Sequence, residues 1–324
     1  MCIRDRFIEV ETDEGVTGLG EATIEPFERT MVTLIEDYKR TVIGKDPSAI
    51  EYLWEDRYRG QFLRSDLLVN VALSAIEIAC WDIKGKVLGV PCYELFGGPC
   101  RETVPFYGNY WFMKTRMGST SVGEYAESAA RAVENGFRAL KWSPFGYVAH
   151  SMTPEQEHVT LECVRRVREA VGPDIQICFD MHTRLDTAHA VAFCKAVEPY
   201  RPFFIEDPLR SENTSSYRTL ARHTSLPIAA GEQWASKWPF REVIEEELIN
   251  YARIDLCIVG GITEALKITH WAETHYIDIV PHNPLGPVSA AACVALCMAS
   301  TNVCLLYTSP SPRDLSTSRM PSSA

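Results

Sequence analysis

Three acidic residues stand at equal steps along the chain, each closing a short apolar run. Asp180, Glu206 and Glu232 are spaced by 26 positions. This step is typical of one strand-plus-helix unit in a parallel barrel, so the three carboxylates are predicted to meet at one rim. A single acid after a strand is usually a helix cap or a solvated charge, but three in step favour a shared role. Ligands that are all carboxylate oxygens favour magnesium or manganese over zinc.

Two of the eight histidines also stand at predicted strand ends. Because side chains alternate along a strand, Asp180 and His182 are predicted to point the same way if the strand extends that far. Asp255 and His282 are 27 positions apart on predicted adjacent strands. The carboxylate is therefore expected to accept the imidazole N–H and fix its tautomer, which makes His282 a candidate general base.

A hard cation, a base and an acid together favour proton abstraction beside a carboxylate. The hydrogen on that carbon is very weakly acidic, so the doubly charged enediolate must be stabilised by the metal as it forms. The enediolate can then expel a neighbouring hydroxyl if an acid protonates it. His182 is the candidate for that second step.

The elements that must position these residues alternate between short apolar runs and amphipathic helices from Val104 onward, which predicts a parallel sheet. Seven strands are predicted near residues 104–107, 139–142, 175–181, 203–206, 228–232, 252–256 and 277–282. Helices are predicted between them, for example at 122–135, 154–171, 187–197 and 263–275. An open doubly wound sheet is the alternative, but no Gly-x-Gly-x-x-Gly opens a helix, so the barrel is favoured.

The first part of the chain has a mixed pattern. It opens with the strand Phe7–Glu11 and a glycine-rich turn. Apolar residues at helical spacing then predict a helix over Leu67–Leu88 with one buried stripe, and Gly89-Val-Pro91 ends it.

The two ends of the chain are predicted to be foreign to the fold. Residues 1–5 can be encoded by ATG TGT ATA AGA GAC, and residues 304–308 by TGT CTC TTA TAC ACA. With one further T, the second string is the reverse complement of the first plus one base, as expected of translated adapter DNA. A disordered Ser/Pro tail is the alternative. We interpret residues 1–6 as a non-native end, residues 304–324 as a non-native or disordered tail, and the chain as a fragment of a longer gene.

Composition limits the classes of function. The chain of 324 residues is 46% hydrophobic and has no run of about 18 apolar residues and no secretory signal, so a cytoplasmic protein is expected. Eleven cysteines without a Cys-x-x-Cys pair are interpreted as reduced core residues. The net charge of −11 argues against nucleic acid or an anionic membrane as a partner.

The motifs resemble those of the enolase superfamily, in its mandelate racemase subgroup, which the metal-stabilised enediolate also fits. They are Gly18-Leu-Gly-Glu21, residues 75–86, Glu94-Leu-Phe-Gly-Gly98, Phe179-Asp-Met-His182, Ile205-Glu-Asp-Pro208, Ala230-Gly-Glu232, Gly260-Gly-Ile-Thr-Glu264 and Pro281-His-Asn-Pro-Leu-Gly-Pro287. Asp-x-His together with Pro-His-x-Pro-Leu-Gly-Pro is most similar to the galactonate dehydratase branch of the acid-sugar dehydratases.

The resemblance implies an α/β fold, a parallel (β/α)7β-type TIM barrel over residues 104–303 with an N-terminal α+β capping domain over residues 7–103. It implies one bound Mg²⁺ and the following roles: Asp180, Glu206 and Glu232 as its ligands, His282 as the base at C2 with Asp255 as its partner, and His182 as the acid that helps the C3 hydroxyl leave.

Other positions carry weaker implications for the substrate. Lys141 stands where the family places the first lysine of a Lys-x-Lys pair, near the substrate carboxylate. Ser143 replaces the second lysine, which removes a second base and favours dehydration over racemisation. Arg184 is a candidate substrate contact, with a solvated loop arginine as the alternative. Residues 21–26 and 59–66 are candidate specificity segments.

The resemblance departs from the family at its end. The family's eighth strand carries a glutamate that hydrogen-bonds the enediolate, and it would lie beyond Val303. We therefore expect a barrel truncated before its eighth strand, and a chain that as written folds poorly and catalyses little. The activity is predicted for the parent gene product.

The resemblance implies Mg²⁺-dependent dehydration of a small-molecule sugar acid, a galactonate-like aldonate, to the 2-keto-3-deoxy acid, in a homo-oligomer. Mannonate dehydratase or another aldonate dehydratase is the near alternative, followed by a racemase or epimerase of a 2-hydroxy acid. A non-catalytic barrel scaffold is an alternative of another class, but it predicts eroded metal ligands, and all three are present.

Overall fold

A computed structural model describes residues 7–22, 24, 26–60, 62, 67–109, 111–112, 121–144, 150–284 and 286–308. The chain divides into two compact units. Among the described residues, the first contains those from 7 to 104 together with 232–241 and 253–306, and the second contains those of 105–231, 242–252 and 307–308.

The described residues form the alternating pattern of strands and helices that the sequence predicts. The strands are β1 Phe7–Glu11, β2 Thr17–Glu21, β3 Phe106–Gly108, β4 Ala139–Trp142, β5 Gln176–Asp180, β6 Phe204–Glu206, β7 Ile228–Ala230, β8 Tyr251–Ala252, β9 Asp278–Ile279 and β10 Leu306–Thr308. The helices are α1 Glu28–Val42, α2 Ile50–Gly60, α3 Leu67–Leu88, α4 Cys92–Leu95, α5 Val122–Glu134, α6 Pro154–Val171, α7 Thr187–Val197, α8 Tyr217–Ala221, α9 Lys237–Glu245, α10 Ile262–Glu273 and α11 Pro287–Ala299.

In the first unit, an antiparallel strand pair packs closely on a helix. β1 and β2 pair with Phe7 opposite Glu21. β2 approaches α3 so closely that a Cβ on Gly18 would collide with the Ala79 carbonyl, and one on Gly20 with the Ala75 carbonyl. The Gly-Leu-Gly spacing is therefore required by this contact.

Helix α3 is buried on more sides than the predicted single stripe. Every residue from Asn70 to Cys80 is buried, because the helix is covered by other elements all round rather than along one face. Its polar side chains are accommodated by hydrogen bonds, since Ser74 Oγ donates to the Asn70 carbonyl at 2.7 Å. None of the described helices is long and apolar enough to cross a lipid bilayer.

In the second unit, strands β3 to β8 run parallel in chain order. The register sets Asp180 on β5 opposite Glu206 on β6. Helices α5 and α6 begin at side-chain caps, because Ser121 and Thr153 each form a capping box with the residue three positions on. The predicted start of α6 at Pro154 is confirmed.

Eight of the described strands form one sheet, in the order β10-β3-β4-β5-β6-β7-β8-β9. The predicted fold class, a parallel β/α barrel with an N-terminal α+β domain, is confirmed. The structure differs in the segment assigned to the tail. Val303 bridges to Ile279, the Cys304 N–H donates to the Ile279 carbonyl at 3.1 Å, and β10 lies beside β3. Residues 304–308 belong to the described fold because apolar side chains such as Leu305 are buried there.

Candidate active site

Two of the predicted metal ligands lie side by side at the ends of adjacent parallel strands. Asp180 is the last residue of β5, and Glu206 is the last residue of β6. Their side chains are almost completely buried, with 3% and 0% of the residue exposed. Two buried carboxylates that lie side by side need positive charge nearby, because a buried anion is costly unless it is paired.

Lys141 on β4 supplies part of that charge. Its Nζ donates to Asp180 Oδ2 at 2.7 Å and to Glu206 Oε1 at 2.6 Å. Burial by itself raises the pKa of Asp180, but the charges of His182 and Lys141 and their hydrogen bonds hold that pKa well below its usual range. Asp180 is therefore ionised at neutral pH, the form that binds a cation. The contact of Lys141 with a substrate carboxylate stays a prediction.

Glu232 completes the predicted trio. The predicted strand reached this residue, whereas β7 ends at Ala230 and Glu232 follows in the adjoining turn. One carboxylate oxygen each of Asp180, Glu206 and Glu232 lie within 4.8 Å of one another. The three donors are all oxygen atoms and all buried, which fits a hard divalent cation. The structure thus brings the trio together, and it could hold a metal ion.

The predicted contact between Asp255 and His282 is present. His282 Nδ1 lies 2.8 Å from Asp255 Oδ2, and the backbone N–H of His282 donates to the Ile254 carbonyl at 2.9 Å. A carboxylate can only accept, so Nδ1 carries a proton. His282 Nε2 lies 3.2 Å from Glu232 Oε2. The second ring nitrogen therefore faces a carboxylate of the trio.

His182 reaches the trio by a different backbone path from the one predicted. β5 ends at Asp180, and His182 and Thr183 have φ of 47° and 54°, so the strand does not extend to His182. These left-handed residues turn the chain back on itself. His182 Nε2 lies 3.0 Å from Asp180 Oδ2, and the His182 N–H donates to Asp180 Oδ1 at 3.0 Å. Its side chain is 40% exposed, so a ligand can reach it.

Two further predicted positions lie close in the chain to these groups. Ser143 directly follows β4 and is two residues from Lys141 in the chain. Arg184 is half-buried in the loop after β5, where its N–H donates to the Met181 carbonyl at 3.1 Å. Contact of Arg184 with a substrate stays a prediction.

The candidate specificity segments are only partly described. Residues 23, 25, 61 and 63–66 of the segments 21–26 and 59–66 lie outside the described residues. Glu21 is described and fully buried. Its carboxylate accepts from the N–H groups of Gly286 and Ser289, at 2.5 and 2.9 Å. Glu21 therefore holds the start of α11, and the role of this segment in specificity stays a prediction.

Two charged residues beside the site were not singled out from the sequence. Arg253 follows β8, is fully buried and donates from Nη1 to the Val280 carbonyl at 2.8 Å. Asp207 follows Glu206, and its Oδ1 accepts from the Gly231 N–H at 3.2 Å. The signal for both was a charged residue within or directly after an apolar run.

Comparisons with known proteins agree over both parts of the chain. Residues 6–97 match the family model "Mandelate racemase / muconate lactonizing enzyme, N-terminal domain". Residues 124–322 match the model "Enolase C-terminal domain-like".

Individual relatives cover most of the chain. It is 39% identical to "D-galactonate dehydratase" of Ralstonia pickettii (strain 12J) over 299 residues. The matched stretch spans 92% of this chain and 76% of the relative. The chain is 36% identical to "D-galactonate dehydratase" of Variovorax paradoxus (strain S110), with the same coverage. A crystal structure of a "Mandelate racemase/muconate lactonizing enzyme-like protein" from Roseovarius sp. TM1035 superposes with a TM-score of 0.90 at 31% identity, covering 95% of this chain and 81% of that one.

Proposed function

We propose that this chain, which belongs to the mandelate racemase/muconate lactonizing enzyme family of the enolase superfamily, dehydrates an aldonate to the 2-keto-3-deoxy acid. The observation that carries the proposal is the placement of two histidines on the carboxylate trio. His282 Nε2 lies 3.2 Å from Glu232, and His182 Nε2 lies 3.0 Å from Asp180. A base and an acid beside one metal site fit elimination of water from a hydroxy acid.

We assign Mg²⁺ to the trio because its three donors are carboxylate oxygens, without the nitrogen or sulfur ligands that zinc prefers. Asp180, Glu206 and Glu232 would hold the ion. When bound, Mg²⁺ supplies positive charge to a substrate carboxylate and so makes the neighbouring C–H more acidic. Lys141 donates hydrogen bonds to two of these carboxylates. It is the candidate partner for the substrate carboxylate in the loaded enzyme.

His282 is the proposed base. Its Nδ1 is held by Asp255 at 2.8 Å, which leaves Nε2 to take the proton from C2. The imidazolium that results is stabilised by the Asp255 carboxylate, so the proton transfer does not leave an isolated buried charge.

His182 is the proposed acid. Its exposed side chain donates a proton to the C3 hydroxyl, the C3–O bond breaks, and the hydroxyl leaves as water. The electron pair from the C2–H bond forms a C2=C3 double bond. The enol product then becomes the 2-keto-3-deoxy acid by tautomerisation, and Ser143, having no basic side chain, supplies no second base for racemisation.

The relatives named D-galactonate dehydratase make a galactonate-like aldonate the first substrate to test. The test uses purified protein expressed from its source gene, a panel of aldonates differing in stereochemistry, and detection of the 2-keto product. We expect product from at least one aldonate, only with a divalent cation present. A protein that forms no 2-keto acid from any member of the panel contradicts the proposal.

The variant His182→Asn tests the division of roles. We expect it to lose dehydration of the best substrate while still exchanging the C2 hydrogen in deuterated water, because the base remains. His282→Asn is the matched control and should lose both reactions. If dehydration survives His182→Asn unaltered, the acid role is wrong.

The setting of the reaction also belongs to this proposal. We propose a cytoplasmic enzyme, because sugar-acid catabolism acts on small metabolites inside the cell, and a homo-oligomer, as the family resemblance implies. Sedimentation of the purified protein measures the second of these directly.

A further inference from the structure

We propose that Arg253 is a positioning residue for His282, an inference that rests on the proposed function for the role of His282. Arg253 directly follows β8 and is 0% exposed. A fully buried arginine is uncommon, because a charge removed from water must be compensated by well-placed partners. The partners of Arg253 lie immediately before His282 in the chain and beside it in space.

The guanidinium holds the backbone that leads into His282. Arg253 Nη1 donates to the Val280 carbonyl at 2.8 Å and to the Pro281 carbonyl at 3.3 Å. These are the two residues that precede the imidazole-bearing residue. Since β9 ends at Ile279, this segment is outside the regular strand, and these side-chain contacts add to the single backbone bridge between Asp255 and His282.

Proline explains why the backbone alone is insufficient. Pro281 has no N–H and so cannot donate to the neighbouring segment. Three successive residues, Arg253, Ile254 and Asp255, hold the segment 280–282. Arg253 binds two carbonyls, the Ile254 carbonyl accepts the His282 N–H at 2.9 Å, and the Asp255 carboxylate lies 2.8 Å from Nδ1.

The other terminal nitrogen of the Arg253 guanidinium faces the trio. Its Nη2 lies 3.9 Å from Glu232 Oε2, the same oxygen that lies 3.2 Å from His282 Nε2. The Arg253 guanidinium therefore lies against both the backbone before His282 and the carboxylate beside His282 Nε2. We infer that it fixes the distance between the base and the metal-binding carboxylate.

Arginine is suited to this task in a way that lysine is not. The guanidinium is planar and presents several N–H donors in fixed directions, whereas an ammonium is a compact charge on a flexible stem. Arg253→Lys should keep the positive charge but lose the simultaneous contacts. Arg168→Lys is the matched control, because Arg168 also binds backbone carbonyls, those of Ile175 at 2.7 Å and Gly172 at 2.8 Å, and neither belongs to the segment next to His282.

The test compares wild type, Arg253→Lys and Arg168→Lys at saturating Mg²⁺. Proton NMR follows the imidazole Nδ1–H of His282, assigned by its loss in His282→Asn, and kinetics give kcat and KM on the best aldonate. We expect Arg253→Lys to shift or broaden the His282 resonance and to lower kcat by roughly 10- to 100-fold, as for groups that orient a functional site, with a smaller change in KM. Arg168→Lys should leave the resonance and kcat as in wild type while lowering the Tm.

The inference is overturned if Arg253→Lys retains the wild-type resonance and kcat, or if Arg168→Lys loses kcat to the same extent. Should Arg253→Lys fail to fold, Arg253→Gln takes its place, since its neutral amide keeps one donor without the charge. The NMR comparison requires no turnover. A wild type that makes no 2-keto acid therefore counts against the proposed function, while the resonance still decides the role of Arg253.

Discussion

Asp255 serves His282 with one carboxylate oxygen and the backbone with the other. Its Oδ2 lies 2.8 Å from His282 Nδ1, and its Oδ1 accepts from the Cys257 N–H at 2.8 Å. The second bond prevents the carboxylate from rotating, so Oδ2 stays beside the imidazole. The tautomer of His282 is therefore set by a group that is itself held in place.

Asp255→Asn is expected to preserve the fold and to remove most of the catalytic activity. The amide can keep its oxygen on the Cys257 N–H, which turns its NH₂ group toward His282 Nδ1. The imidazole must then protonate on Nε2, the nitrogen that should accept the C2 proton. We expect kcat to fall by roughly 10³- to 10⁴-fold, as in other enzymes where the wrong tautomer is imposed, with a Tm close to wild type. Retention of full kcat in a folded Asp255→Asn protein would contradict this role.

At the residue scale, the groups that carry charge at strand ends could be predicted because the barrel repeat brings such positions to one rim. This applies to Asp180, Glu206, Glu232 and the Asp255 and His282 pair. Arg253 carried a signal as a charge beside an apolar run, but its partners could not be predicted, because they are backbone carbonyls of another segment and carbonyls have no sequence signature.

At the scale of elements, helices α10 and α11 begin without a capping side chain of their own. α10 follows Gly261 and α11 follows Gly286, and neither glycine has a side chain that could accept a hydrogen bond. Glu77 on α3 accepts from the N–H groups of Ile262 and Thr263, both at 2.8 Å. Gly261 has a φ of 92°, and a Cβ there would collide with the Glu77 carboxylate.

Each of these carboxylates lies at the positive end of a helix dipole. Glu21 accepts from N–H groups at the start of α11, as Glu77 does at the start of α10. The N-terminal residues of the chain thus complete helices that are far away in sequence. The Gly-Gly-Ile-Thr-Glu motif is explained by this packing and needs no direct part in the chemistry.

Glu77 should make stability depend on pH near neutrality. Burial raises the pKa of Glu77 to about 7, and its hydrogen bonds with Thr263, Ile262 and Trp81 offset that only in part. The unfolded value is 4.5, so the folded state binds more protons between these values, and the free energy of unfolding falls as pH rises through that window. We expect a slope of up to about 1.4 kcal/mol per pH unit from this group.

Urea unfolding of wild type and Glu77→Gln at a series of pH values measures this effect. The variant is neutral throughout, so its stability should fall less between pH 5 and 8. Glu94→Gln, an exposed position of the same unit, should retain the wild-type slope. Equal slopes for wild type and Glu77→Gln would show that Glu77 does not titrate in this range.

The elements themselves were predictable where local signals were strong. α6 begins at its Thr153 cap and Pro154, and α3 spans its predicted residues. β4 has its predicted bounds, whereas strands such as β5 are shorter than predicted because they end where side chains and turns replace the ladder, as at His182. The burial of α3 on several sides depends on neighbours such as β2, which periodicity within one helix does not report.

At the scale of the whole molecule, the repeat of strand and helix was sufficient to predict the fold class. β10 itself was not predicted, because residues 304–308 were interpreted by their coding sequence rather than by their apolar character. Leu305 and Leu306 are buried, and a run of apolar residues after α11 is compatible with the eighth position of the sheet whatever its origin.

The carboxylate trio predicts that a divalent cation stabilises the native protein. A ligand that binds only the folded state raises the free energy of unfolding, by about 2.7 kcal/mol when its concentration is 100 times its Kd. The chain carries a net charge of −11, so weak binding of cations over the surface is the competing effect. Thermal unfolding in EDTA and in millimolar Mg²⁺ measures the sum of both.

Two variants separate the trio from the surface. Glu206→Gln removes a ligand that is fully buried and should abolish most of the Mg²⁺-dependent rise in Tm. Glu212→Gln removes an exposed carboxylate of the same unit and should leave that rise intact. Mn²⁺ should replace Mg²⁺, since both prefer oxygen ligands. A rise in Tm that is equal in both variants would place the bound cations on the surface, and it would favour a barrel that keeps the fold without the metal-dependent reaction.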